Sequence, residues 1–88
     1  MTTVPLVVST PSGNAFSGEA VMLSVRGVEG ELAIMANHVP FVTAIKPGIC
    51  KIELTDSVML GKTDGGILTV AKDKVTLLAG SFTLTDTE

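Results

Sequence analysis

The chain has 88 residues, a net charge of −3, 45% hydrophobic residues and only 3% aromatic residues. One domain fits this length and two do not. Six scattered basic residues, three Phe and no Trp or Tyr exclude the basic stripes and stacking platforms of nucleic-acid binders and the polybasic patches drawn to anionic lipid.

Charged residues make up 17% of the chain and mean hydropathy is +0.52, where soluble domains carry roughly 25% charge. A small domain has much surface to cover, so a shortage of charge predicts apolar surface that meets a partner. Cys50 is the sole cysteine, which excludes an intrachain disulfide. Residues 1–8 lack a basic segment ahead of an apolar run, so no signal peptide is expected. No apolar stretch approaches the roughly 20 residues of a membrane-spanning helix, so no direct lipid insertion is expected either.

In chain order, short runs rich in Val, Ile, Leu and Thr alternate with turn residues. The first run covers residues 6–10 and closes at Pro11-Ser12-Gly13-Asn14. A brief second, Ala15-Phe16, closes at Ser17-Gly18. Residues 19–26 place Val21, Leu23 and Val25 on one face and Met22, Ser24 and Arg26 on the other, the period of a half-buried strand. Gly27-Val28-Glu29-Gly30 turns the chain, 31–34 is a short strand and 35–38 a loop. Residues 39–45 form a strand that Pro40 confines to an edge or a bulge, because Pro donates no ladder hydrogen bond. After Pro47-Gly48, residues 49–54 alternate with Cys50, Ile52 and Leu54 inward, which makes Cys50 a core residue. Residues 58–62 and 66–71 flank Thr63-Asp64-Gly65 as a hairpin. Strands at 75–79 and 81–84 end the pattern. The expected fold is all-β: one domain, 1–88, with about ten short strands in an antiparallel β-sandwich or flattened barrel.

Catalytic signatures are missing. His38 is the only histidine, no Gly-x-Ser-x-Gly occurs, and one His with one Cys does not make a zinc site. The acidic residues lack calcium-loop spacing, and the glycine turns lack the Lys-Ser/Thr of a phosphate loop. No catalytic, cofactor-binding or metal-binding residue is assigned. The unusual segment is Val39-Pro40-Phe41-Val42-Thr43-Ala44-Ile45, which is apolar on both alternating faces. A sandwich strand normally has one wet face, so this one is either buried at the sandwich rim by its own chain or, as the shortage of further chain favours, covered by another protein at a contact introduced by His38.

The same region carries a longer pattern. Gly27-Val28-Glu29-Gly30-Glu31-Leu32-Ala33-Ile34, followed by His38-Val39-Pro40-Phe41-Val42-Thr43-Ala44-Ile45-Lys46-Pro47-Gly48, resembles the signature of the epsilon subunit of F-type ATP synthases. That signature reads Gly-x-x-Gly-x-x-Gly-Ile, then His-x-Pro, two apolar residues, Thr and a closing Gly. Asp64-Gly65-Gly66-Ile67-Leu68-Thr69-Val70, Val75-Thr76-Leu77-Leu78-Ala79 and Phe16-Ser17-Gly18-Glu19 extend the resemblance over nearly the whole chain. Ala33 departs from the pattern, where the family commonly has Gly.

The resemblance implies a ten-stranded β-sandwich low on the central stalk, non-catalytic by itself. It would dock the gamma subunit to the polar loops of the c-ring within the ATP synthase complex, on the cytoplasmic face of the bacterial inner membrane. By position it assigns His38, Val42 and Thr43 to the gamma contact and Glu31 to the ring side. Family members usually continue into a helical hairpin that binds ATP in some of them. This sequence ends at Glu88, just past the last strand, as a natural short form or an isolated N-terminal domain would, and hairpin inhibition and ATP sensing are not expected of these residues. A free-standing ligand-binding or protein-binding sandwich is the alternative reading.

Overall fold

The structure, a computed structural model, describes residues 2–36 and 39–85. The described residues form ten strands and no helix: β1 Val4–Thr10, β2 Gly13–Ala20, β3 Met22–Gly27, β4 Gly30–Met35, β5 Phe41–Ile45, β6 Gly48–Glu53, β7 Val58–Thr63, β8 Gly66–Val70, β9 Val75–Ala79 and β10 Phe82–Thr85. The all-β expectation holds. One continuous ladder, β10-β7-β6-β3-β5-β8-β9-β1-β2 with β4 on the free side of β3, folds over where β3 meets β5. That contact is short: Gly27 pairs Ile45, the Lys46 N–H donates to the Arg26 carbonyl at 2.8 Å, and the Val28 N–H donates to the Ala44 carbonyl at 3.2 Å. The fold-over leaves two layers, β4-β3-β6-β7-β10 and β5-β8-β9-β1-β2.

Alternation along β1, β3, β4, β6, β8 and β9 supplies the core between the layers. Leu6 and Val8 of β1, Leu23 and Val25 of β3, Ile34 of β4, Cys50 and Ile52 of β6, Leu68 and Val70 of β8, and Val75 and Leu77 of β9 are buried. Cys50 is 1% exposed, and burial pushes its thiol up to about 11. The sequence reading of Cys50 as core stands.

Several boundaries differ from the sequence reading. The supposed single strand over 19–26 is broken at Val21: residues up to Ala20 belong to β2, and β3 starts at Met22. Thus Ala15-Phe16 is the middle of an eight-residue strand. Val7 and Val8 pair Ser17 and Phe16, and a register shift follows between Val8 and Ser9. Polar, glycine-rich β2 shows no hydrophobic alternation because it is an edge strand; its shape comes from the β1 ladder. Met35 extends β4 by pairing with Met22. Val39 and Pro40 lie outside β5, as the missing proline donor requires. The expected antiparallel pattern has one exception, since β1 and β9 pair in parallel.

Four turns form a contiguous row along one end of the sandwich. The β3–β4 turn adjoins the β5–β6 turn through Arg26 and Lys46. Gly65 of the β7–β8 turn abuts the Ile45 carbonyl and Pro47. Asp64 then reaches Ser81 in the β9–β10 connection. Gly30 (φ 131°) and Gly65 (φ 102°) take backbone angles that L side chains rarely adopt, which keeps these turns tight.

Candidate functional site: an uncharged sheet face

The outer face of the β5-β8-β9-β1 ladder is built by direct cross-strand pairs. Val42 stands opposite Thr69, and Ala44 opposite Ile67. Ile67 stands opposite Leu78, and Thr69 opposite Thr76. Thr76 and Leu78 continue to Val7 and Ser9. None of these positions carries a charge. Val42 is 65% exposed, Leu78 52% and Ile67 44%. Val28, also exposed, adjoins this face through its bond to Ala44. A solvated sheet face ordinarily carries Lys, Glu and Thr; a contiguous apolar, uncharged face marks an interaction surface.

The outer face of the other layer differs. It presents Arg26, Lys51 and Lys62 with Glu31 and Glu53 among Ser24, Ile49 and Leu60, following the β4-β3-β6-β7 register. A shallow concavity of about 610 Å³, open to solvent, lies there between Ser24, Glu31, Lys51 and Leu60. The Arg26–Glu31 ion pair beside it is long, 3.8 Å, with both side chains largely exposed, so it contributes little.

The residues singled out in the sequence separate in space. Val42 is on the uncharged face. Thr43, opposite the buried Leu68, points to the other side of β5 and is half-buried; its hydroxyl donates to the Ala44 carbonyl at a long 3.5 Å. Glu31 lies beside the β3–β4 turn, at one end of β4. His38 lies outside the described residues. The two-faced strand therefore resolves into an inner set, Phe41, Thr43 and Ile45, and an outer set, Val42 and Ala44. Sequence reasoning missed Ile67 and Leu78 as surface residues. In Ile67-Leu68 and Leu77-Leu78 adjacent apolar residues hid the alternation, although two apolar neighbours on a strand must point to opposite faces.

No group of His, Cys, Asp and Glu among the described residues is placed to hold a metal ion.

The β-sandwich domain model of the ATP synthase delta/epsilon chain matches residues 3–85. The chain belongs to the ATP synthase delta/epsilon family. Curated relatives include the ATP synthase epsilon chains of Halalkalibacterium halodurans, 38% identical over 90% of this chain and 59% of the relative, and of Bacillus pumilus, 36% identical over 98% of this chain and 66% of the relative. The delta/epsilon-family chain thus spans about three-fifths of the length of these relatives. Two solved structures share its fold. One chain of the Euglena gracilis mitochondrial ATP synthase superposes with a TM-score of 0.89 at 18% identity, covering 96% of this chain and 54% of that one. One chain from the central stalk and c-ring of the Tetrahymena thermophila mitochondrial ATP synthase gives 0.79 at 16% identity, covering 92% of this chain and 66% of that one.

Proposed function

We propose that this chain is a non-catalytic central-stalk subunit of an ATP synthase, docking the gamma subunit through the uncharged face of the β5-β8-β9-β1 layer. The turn row that carries Glu31 meets the polar loops of the c-ring, so that ion-driven rotation of the ring reaches the catalytic head. The complex sits on the cytoplasmic face of a bacterial inner membrane, with this chain peripheral to it. The observation that carries the reading is the exposed Val42, Ile67 and Leu78 cluster on a charge-free sheet face. Apolar area of this kind stabilises an interface by roughly 25 cal/mol per Å² removed from water, and its backing by continuous β5-β8-β9-β1 pairing suits a joint that must transmit rotation. Family membership and the bacterial relatives support the same assignment. ATP chemistry then belongs to other subunits.

The decisive experiment mixes the purified chain with the gamma subunit of the same organism and follows co-elution and binding heat. A one-to-one complex is expected. Two folded partners that remain separate at concentrations of about 50 μM, well above the dissociation constant of a standard-sized interface, would refute the proposal.

A further inference from the structure

We propose that Asp64 is a positioning residue that fixes the shape of the turn row where it meets the ring; this rests on the central-stalk reading above. Two successive residues, Thr63 at the end of β7 and Asp64 at the start of the β7–β8 turn, hold the β9–β10 connection. The Thr63 hydroxyl donates to the Ser81 carbonyl at 2.9 Å and accepts the Gly65 N–H at 3.1 Å. The Ser81 N–H in turn donates to Asp64 Oδ1 at 2.9 Å. Ser81 is thus gripped through both of its backbone polar groups.

The two grips differ in kind. Thr63 is buried, 3% exposed, so its bonds belong to the fold, and losing them would orphan buried groups. Asp64 is exposed; its bond is charge-assisted, yet water can replace it. Removing the carboxylate therefore leaves the fold standing and frees the turn to move. Gly80 is matched to this arrangement, because a Cβ there would lie 2.7 Å from the second Asp64 carboxylate oxygen. Through Gly65, Pro47, Lys46 and Arg26 the same row of contacts continues to the turn beside Glu31. Asp64 is an exposed link in that row, and a slack link makes a compliant joint at the place where torque enters.

The test exchanges Asp64→Ala, Asp64→Asn and Gly80→Ala chains into the complete ATP synthase of the source organism, reconstituted in liposomes. Asp64→Ala and Gly80→Ala should bind gamma like the unmodified chain, exchange the Ser81 amide hydrogen about tenfold faster, and lower gradient-driven ATP synthesis several-fold while ATP hydrolysis continues. Asn keeps an Oδ1 acceptor and should restore both amide protection and synthesis. Full synthesis with Asp64→Ala, or an equal loss with Asp64→Asn, would overturn the proposal. Coupled synthesis that proceeds equally well without the unmodified chain would overturn the central-stalk reading instead.

Discussion

Ile67 and Leu78 stand directly opposite one another across the β8–β9 ladder, both on the side of the sheet that the core does not use. Their strand neighbours Leu68 and Leu77, the next cross-strand pair, are wholly buried. One ladder therefore contributes equally to the interior and to the outer face. Replacing Ile67 or Leu78 with Asp should leave the melting temperature within a few degrees of the parent, because the site is exposed in the free chain. In the complex it would bury an unpaired carboxylate, at a cost of about 3–5 kcal/mol, or roughly a hundredfold or more in Kd for gamma. Calorimetric titration measures this directly; an unchanged Kd for both variants would remove the β8–β9 ladder from the interface.

Val42 and Thr43 are adjacent in sequence and opposite in space, so the same substitution should do different things. Val42→Asp should weaken gamma binding and leave stability unchanged within about 0.5 kcal/mol. Thr43→Asp brings a carboxylate to the half-buried side of β5 beside Leu68. It should lower stability by about 1–3 kcal/mol in urea denaturation. Equal effects of the two on binding, with no loss of stability for Thr43→Asp, would contradict this facing.

Phe82 lies across Gly61, and its ring fills the space that a side chain there would need. Leu84 of β10 is the direct partner of Gly61, and Cys50 of β6 flanks it on the other side. Gly61→Ala should cost about 1–3 kcal/mol by forcing the ring away. Phe82→Ala should cost about 3 kcal/mol by leaving a hollow. Combining the two should cost less than the sum, since the added methyl occupies part of the space the ring vacates. A strictly additive double mutant would show that the ring does not rest on Gly61.

Cys50 gives a pH dependence with a definite sign. Its thiol goes from an ordinary 9.0 up to about 11 because burial disfavours the thiolate. Below the ordinary value both folded and unfolded chains hold the proton, and nothing is lost. As pH rises from about 9 toward 11 the unfolded chain ionises first, so the folded state loses stability, by about 2–3 kcal/mol at the upper end. Urea denaturation of the parent and of Cys50→Ala across pH 8 to 11 isolates this, because lysine titration is common to both. The stability advantage of the parent should shrink with pH; a constant difference would mean that the thiol ionises as freely in the fold as outside it.

The candidate site was partly legible in the sequence. The apolar run at residues 39–45 announced a strand with two greasy sides, and Val42 is indeed on an open one. The resemblance groups Thr43 with Val42 by position, while strand geometry puts the two on opposite faces of β5. Ile67 and Leu78 join Val42 only through the β5–β8 and β8–β9 registers, and those registers bring together residues up to thirty-six positions apart. The grip of Asp64 and Thr63 on Ser81 spans seventeen and eighteen positions. Nothing local in Thr63-Asp64-Gly65 distinguishes it from an ordinary hairpin tip.

Local chemistry settled what is local. Period-two alternation, β-branched residues and glycine turns dictated an all-β chain and the inward placement of Cys50 and Ile52, because each follows from sterics within a few residues. Pairing partners are a different matter. The parallel β1–β9 ladder, the fold-over at Gly27 and Ile45 and the charge-free face each depend on which distant strands win the competition for one another's backbone hydrogen bonds. That competition is decided by burial of the whole core at once, and only the tertiary structure records its outcome.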